Sequence, residues 1–206
     1  MNYNLIMNNQ NKKIKLKHLL NTNCIDCELH RSSKHVCILG RGNLFAKIML
    51  IGEAPGSAEE LTGKPFCGRA GKLLNELLID LSLQNSVYIT NVCKCKPPDN
   101  RKPTDSEISV CQKYLAGELT VIKPKIIILL GKVAMSFVEN SIGNRNFLNA
   151  GTNPFQIKNF YNLINVWIIP TWHPAYCLRR GTGATNDLRK ALQFAKEVLW
   201  VKPNIY

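Results

Sequence analysis

The sequence predicts an α/β protein with three α/β/α layers and a central, mainly parallel four-stranded sheet. Short apolar runs typical of buried strands alternate along the chain with amphipathic segments typical of helices. This alternation indicates a parallel sheet with helices on both faces. With 206 residues, 45% of them apolar, the chain is large enough to bury its own core. We therefore expect one domain over residues 18–206, preceded by a basic, flexible extension at 1–17.

The individual elements follow from local patterns. Strands are expected at residues 47–51, 86–90, 126–130 and 166–169, and helices at 70–81, 106–119, 132–140 and 186–199. Thr104, which follows Pro103, supplies an oxygen-bearing cap for the second of these helices. A further short helix is expected at residues 15–21.

The carboxyl ends of the predicted strands carry the residues best suited to a functional site. These ends lie at residues 52–56, 90–92, 130–132 and 170–174. In a parallel sheet they share one edge, and open α/β proteins bind ligands there. Three of the four ends carry polar or loop-forming residues, so the sequence predicts a pocket at this edge.

The charge of the chain indicates the class of partner. The 27 Lys and Arg outnumber the 14 Asp and Glu, which gives a net charge of +13. Such a balance attracts a polyanion, and nucleic acid is the first candidate for a domain of this size. The alternative explanation is a proteome that favours lysine everywhere. No apolar run is long enough to span a bilayer, so no membrane partner is expected.

The eight cysteines indicate metal ligands or free thiols. No signal-peptide pattern opens the chain, and disulfides are rare in a reducing compartment. Cys24 and Cys27 form a C-x2-C pair, whose spacing lets both sulfurs turn toward one ion. Cys95 and Cys111 lie far downstream with fifteen residues between them. The alternative interpretation is that these cysteines are small buried apolar residues.

Four segments resemble the signatures of the family-4 uracil-DNA glycosylases, the iron–sulfur members of the uracil-DNA glycosylase superfamily. They are GEAPG at 52–56, GKPFCGRAG at 63–71, KCKPP at 94–98 and HPAY at 173–176, and the resemblance extends over roughly residues 24–200. It implies a monomeric, monofunctional enzyme of base excision repair. The enzyme would hydrolyse the N-glycosidic bond of uracil in single- or double-stranded DNA and leave an abasic site. A cytoplasmic, nucleoid-associated location follows from that role.

The resemblance also implies a cofactor. Cys24, Cys27, Cys95 and Cys111 would hold a [4Fe–4S] cluster with a structural role. Four thiolates suit tetrahedral zinc equally well, and the resemblance favours iron. Cys93 competes with Cys95 for the third ligand position, but the family's ligand follows the lysine of KCKPP.

Uracil excision requires a base that leaves as an anion from a sugar that becomes oxocarbenium-like. The resemblance assigns stacking on the base to Phe66, recognition of its edge to Asn91, and donation to uracil O2 to His173. Glu53 would orient water or balance the charge of the sugar, and the alternative is that it braces its loop.

The remaining expected site residues line the pocket or face the DNA. Backbone groups of Gly52 and Ala54 would line the pocket, and Glu59 would fill the space near a thymine methyl group. Leu178 is the expected wedge in the duplex, and Arg179 is an expected cation beside it. Phosphate contacts are expected from Lys64, Arg69, Lys94, Lys96, Arg101 and Lys102.

Two alternative functions remain open at this stage. One is a superfamily member that acts on another deaminated base, such as hypoxanthine. The other is a non-catalytic iron–sulfur or zinc module that binds DNA without releasing a base. The second alternative leaves the joint presence of Phe66, Asn91 and His173 unexplained.

Overall fold

A six-stranded sheet organises the chain, in a computed structural model that describes residues 3–143 and 153–201. The strands are β1 (Arg41–Gly42), β2 (Ile48–Gly52), β3 (Val87–Asn91), β4 (Ile126–Leu130), β5 (Phe155–Phe160) and β6 (Leu163–Thr171). Their order across the sheet is β1-β3-β2-β4-β6-β5. Strands β3, β2, β4 and β6 pair in parallel, whereas β1 and β5 pair antiparallel at the two edges. The predicted parallel core is confirmed, and the two edge strands are additional.

The helices cover both faces of this sheet. They are α1 (Tyr3–Leu19), α2 (Leu29–Ser32), α3 (Ser57–Thr62), α4 (Arg69–Asp80), α5 (Asp105–Ile122), α6 (Lys132–Ile142), α7 (Pro174–Arg180) and α8 (Thr182–Val201), with a 3-10 turn at Pro98–Asn100. The four predicted helices correspond to α4, α5, α6 and α8. Among the described helices, none combines the length and the apolar character that a membrane span needs.

Side-chain alternation along the strands produces two separate cores. Ile48 and Leu50 of β2 point to one face, where they join apolar residues of α4 and α8. Met49 and Ile51 point to the other face, where they join apolar residues of α5 and α6. All four side chains are fully buried. Burial of each contributes about 1.5–3 kcal/mol, so both helix layers are held firmly against the sheet.

The register of the central strands brings their carboxyl ends to one edge. Gly52 at the end of β2 lies opposite Asn91 at the end of β3, and Leu130 of β4 lies opposite Thr171 of β6. The pairing of β2 with β3 continues past the strand ends, because the Val92 N–H donates to the Gly52 carbonyl at 3.0 Å. The loops that follow these strands therefore meet at the same edge.

Helix α5 begins at a capping box, as the Thr104 cap predicts. The Glu107 N–H donates to Thr104 Oγ1 at 3.2 Å, and the Thr104 N–H donates to Glu107 Oε2 at 2.7 Å. These two bonds satisfy backbone donors that the first turn of a helix leaves unpaired. The helix carries Cys111 and Glu118, both buried, toward the sheet.

Helix α1 is longer than the short helix expected at residues 15–21. Its Lys12 Nζ donates to the carbonyls of Leu44 and Ile122 at 2.9 and 3.2 Å. Leu19 packs against Gly117 of α5 so closely that a Cβ there would lie 2.6 Å from Leu19 Cδ1. The division into an extension at 1–17 and a domain at 18–206 stays a prediction.

Candidate active site

A cavity of about 430 Å³ opens at the carboxyl edge of the sheet. Eight of the expected site residues line it, namely Glu53, Ala54, Glu59, Phe66, Asn91, Arg101, His173 and Arg179. Gly52 lies directly behind this lining, whereas Arg69 and Leu178 lie outside it. The pocket predicted at the strand ends therefore exists, and it gathers residues from four separate loops.

Several of the lining residues carry no clear signal in the sequence. They are Pro55, Ala70, Pro97, Asn100 and Ala175. Asn100 enters from the 3-10 turn and lies 3.4 Å from Ser57 Oγ, so it connects two loops of the rim. The Pro97-Pro98 pair was the available signal, because it marks a turn that follows a strand end.

Phe66 and Asn91 converge on Gly52. A Cβ added to Gly52 would lie 2.5 Å from Asn91 Oδ1 and 2.5 Å from Phe66 Cζ. Position 52 therefore requires glycine for steric reasons. The Phe66 ring centroid also lies 5.9 Å from that of His173, with the rings inclined by 33°. The three residues thus line one common cavity.

Phe66 has a backbone conformation that side chains rarely adopt. Its φ is +52°, in the left-handed region. The carbonyl group of Phe66 lies against Gly71 in α4, where any side chain would collide with it. Arg41 Nη2 donates to that same carbonyl at 3.1 Å. Packing from two elements thus holds the ring at 5% exposure against the pocket.

Asn91 lines the pocket and carries a buried, unpaired acceptor among the described residues. The residue is 2% exposed, and its Oδ1 has no hydrogen-bond partner among the described residues. Leaving a buried acceptor unsatisfied costs about 1–3 kcal/mol. A ligand that donates a hydrogen bond to this oxygen would recover that cost.

His173 is held as a neutral hydrogen-bond donor. It forms the N-cap of α7, where its Nδ1 accepts from the Ala175 N–H at 3.2 Å. Nε2 therefore carries the proton of the neutral ring. Burial lowers the pKa of His173 to about 4, and the positive charge of Arg179 acts in the same direction. Gly131, at φ +88°, lies against the Cβ of His173 and leaves room for this placement.

The two acidic residues of the pocket have different environments. Glu53 is half-buried, and no described residue donates a hydrogen bond to its side chain. Burial raises the pKa of Glu53, partly opposed by the charge of Lys102. Glu59 instead accepts from the Cys67 and Gly68 amides at 2.9 Å and from the Gly56 amide at 3.1 Å. Glu59 thus braces the loops around the pocket, while the Glu53 carboxylate stays available.

The rim of the pocket carries exposed cations and an aromatic stack. Tyr176 of α7 stacks on Trp172 with ring centroids 4.6 Å apart. The guanidinium groups of Arg179 and Arg180 lie 6.0 and 5.7 Å from the Tyr176 ring centroid. Leu178, in the same helix, is 45% exposed, so α7 presents both an apolar and a cationic surface to solvent.

The expectation that Lys94 contacts phosphate is wrong, because Lys94 is fully buried. Its ammonium group is paired with Glu118 at 2.5 Å inside the protein. Arg101 is also engaged, through a bidentate pair with Glu107 at 2.7 and 2.9 Å, although its side chain remains partly exposed. Lys64, Arg69 and Lys102 are exposed as expected.

A second, narrower cavity gathers the predicted metal-binding cysteines. Cys24, Cys27, Cys95 and Cys111 all line it, together with Cys37. Cys93 lies outside this lining and is hydrogen-bonded to Cys111 instead. Within the described residues, no three ligating side chains converge on a single ion position. The four predicted ligands thus share one cavity, and Cys37 contributes a fifth sulfur to it.

Backbone amides and burial set the properties of these thiols. The Cys37 N–H donates to Cys95 Sγ at 3.4 Å, and the Lys94 N–H donates to Cys111 Sγ at 3.2 Å. Burial raises the pKa of Cys95 to about 12, whereas the hydrogen bond from Cys93 lowers the pKa of Cys111 to about 7. Amide donors of this kind stabilise thiolate ligands, so the cavity suits a thiolate-bound metal group.

Comparisons with known proteins match this arrangement. The family model of the Uracil DNA glycosylase superfamily matches residues 39–196. The type-4 uracil-DNA glycosylase of Thermotoga maritima is 38% identical over 181 residues, which cover 84% of this chain and 90% of that protein. The type-4 enzymes of Archaeoglobus fulgidus and Saccharolobus solfataricus are 40% and 39% identical, over 76% and 87% of this chain and 79% and 83% of their own lengths. The chain therefore belongs to the uracil-DNA glycosylase superfamily and, within it, to the type-4 uracil-DNA glycosylases.

Proposed function

We propose that the cavity at the carboxyl edge of the sheet is the pocket in which this chain excises uracil from DNA. One observation carries the proposal: Asn91 Oδ1 is buried with no partner in the described part of the chain, and Asn91 lines the same cavity as Phe66 and His173. A planar base with an N–H donor on its edge satisfies that acceptor. The target nucleotide reaches the pocket by leaving the base stack, or directly from single-stranded DNA.

Asn91 selects uracil by the pattern of its hydrogen bonds. Its Oδ1 accepts from uracil N3–H, and its side-chain NH2 donates to uracil O4. Cytosine has an acceptor at N3 and a donor at N4, so both interactions would be reversed. Phe66 supplies the face on which the base stacks. Glu59 fixes the loop beside the base through its three backbone bonds.

His173 stabilises the departing base. When the bond between N1 and C1′ breaks, the electron pair stays on uracil and C1′ becomes oxocarbenium-like. The neutral His173 donates from Nε2–H to uracil O2, where negative charge accumulates. One such donor contributes about 2.7–4 kcal/mol of barrier reduction. Because the pKa of His173 is about 4, the ring acts as a neutral donor at physiological pH.

Glu53 completes the hydrolysis. Its carboxylate orients the water that attacks C1′ and accepts a proton from it, and its charge balances the positive sugar. The products are free uracil and an abasic site. No lysine is among the described residues that line the cavity, which supports a monofunctional hydrolase without a Schiff-base intermediate.

The exposed face of α7 engages the DNA around the extruded nucleotide. Leu178 fills the gap in the duplex, while Arg179 and Arg69 contact phosphates. The substrate is uracil in single- or double-stranded DNA, and the chain acts as a monomer near the nucleoid. The net charge of +13 supports this electrostatic attraction.

The cysteine cavity suits a [4Fe–4S] cluster held by Cys24, Cys27, Cys95 and Cys111. The four-thiolate donor set fits such a cluster, and the two amide–sulfur bonds support it; zinc is the less favoured occupant. When bound, the cluster cross-links the N-terminal segment to α5 and the loop after β3. The excision steps need no electron transfer.

Release of free uracil from a single-stranded oligonucleotide tests the proposed function. The purified protein should release uracil, and Asn91→Ala and His173→Ala should each slow a single turnover by at least about 100-fold. Parallel oligonucleotides with hypoxanthine and thymine test the breadth of the pocket. Binding of duplex DNA without base release would instead support the non-catalytic alternative.

A further inference from the structure

A fully buried ion pair lies next to Asn91, and the proposed excision of uracil does not involve it. Lys94 and Glu118 have no solvent exposure, and Lys94 Nζ lies 2.5 Å from Glu118 Oε2. Lys94 Nζ also donates to Thr90 Oγ1 at 2.8 Å and to the Asn91 carbonyl at 2.6 Å. All three N–H bonds of the ammonium group are therefore used.

Glu118 connects the same pair to the rest of β3. Its carboxylate accepts from the Tyr88 hydroxyl at 2.9 Å, from Thr90 Oγ1 at 2.8 Å and from the Gly40 amide at 2.5 Å. Tyr88 and Thr90 lie on β3, Lys94 follows it, and Gly40 precedes β1, which pairs with β3, while Glu118 itself belongs to α5. The pair thus fastens the carboxyl end of β3 to the helix behind it.

Stability alone is a weak explanation for this arrangement. Removing two charges from water costs several kcal/mol each, and well-packed apolar residues in their place are often neutral or stabilising. A buried, fully satisfied network instead fixes one geometry. The geometry fixed here is that of the last two residues of β3, Thr90 and Asn91.

We propose that Lys94 and Glu118 are positioning residues that hold Asn91 in register for base recognition. This inference rests on the proposed function. Asn91 Oδ1 has no partner within residues 3–143 and 153–201, so its place is set by the backbone of Asn91 and by contact with Gly52. Lys94 holds that backbone directly, through the Asn91 carbonyl. A misplacement of about 1 Å at a reacting group can cost about 100-fold in rate.

The same residue reaches the cysteine cavity through its own backbone. The Lys94 N–H donates to Cys111 Sγ, and the Lys94 carbonyl accepts from the Ile38 N–H at 2.8 Å. A change confined to the Lys94 side chain leaves these backbone bonds in place. Iron content therefore reports separately on whether the loop after β3 keeps its fold.

The test uses the double variant Lys94→Met/Glu118→Gln. It removes both charges together, so no unpaired charge is buried, and glutamine keeps an acceptor for Tyr88 and Gly40. Single-turnover release of uracil should fall about 100-fold, while iron content and duplex affinity stay within twofold of wild type. Val138→Ala, in the core at α6, is the matched control for a general loss of stability and should leave the rate within threefold.

Non-additivity separates positioning from a merely structural role. In an Asn91→Ala background, the double variant should slow the reaction by less than threefold more, because the group it positions is gone. The inference would be overturned if the double variant slowed the Asn91→Ala protein as much as it slows wild type. It would also be overturned if the double variant alone released uracil at the wild-type rate. Should the double variant fail to unfold cooperatively, Thr90→Val removes the two bonds that Thr90 Oγ1 makes, to Glu118 and from Lys94, and should show a smaller loss with the same non-additivity. Failure of the wild-type protein to release uracil would refute the proposed function itself.

Discussion

Replacing His173 by asparagine should flatten the dependence of stability on pH. Burial holds the pKa of His173 at about 4, below the ordinary value of about 6.5. Between these pH values the unfolded chain binds a proton that the folded chain does not. Stability from this residue is therefore complete above about pH 6.5 and lost as the pH falls to about 4. The gap between the two pKa values corresponds to about 3 kcal/mol.

Asparagine suits this test because it retains the N-cap acceptor that the Ala175 amide needs, and it does not titrate. Urea unfolding from pH 4 to pH 8 should show wild type losing up to about 3 kcal/mol more than His173→Asn on acidification. His18→Asn, which removes an exposed histidine, is the control. Parallel curves for wild type and His173→Asn would refute the argument that the ring is buried in its neutral form.

Three further predictions concern the pocket and its surroundings. Gly52→Ala should place a methyl group against Asn91 and Phe66, so single-turnover uracil release should fall at least about 100-fold while far-UV circular dichroism stays unchanged. Glu59→Gln weakens the acceptor for three amides, and urea unfolding should show a loss of about 1–3 kcal/mol. Arg179→Ala should lower the slope of log affinity against log salt concentration by about 1, measured on duplexes of different sequence.

Continuous apolar runs explain why the parallel core could be predicted. Strand β4 matches its predicted bounds, because a short continuous apolar run such as Ile126–Leu130 is typical of a parallel strand buried on both faces. Strand β5 gave no such signal, since only one of its six residues, Phe160, is buried at this sheet edge. Helix α7 had signals at both ends, a proline at its first position and Gly181 after its last, but seven residues show no clear period.

The residues of the candidate site also include some that the sequence predicts and some that it does not. Asn91 and His173 stand at predicted strand ends, so topology places them at one edge of the sheet, whereas Phe66 was predicted through the resemblance of its motif, GKPFCGRAG. The prediction for Lys94 was wrong because a lysine in a loop is usually exposed to solvent. Its partner Glu118 lies in another element, and only the folded structure brings the two together.

The unsatisfied oxygen of Asn91 affects more than the choice of substrate. The hydrogen bond that forms when the base enters must break before the base can leave. Free uracil carries the same N3–H group as uracil in DNA, so it can donate to the same oxygen. Free uracil should therefore compete with substrate and raise the melting temperature of the protein in proportion to its occupancy. We therefore expect free uracil, the product, to inhibit the enzyme.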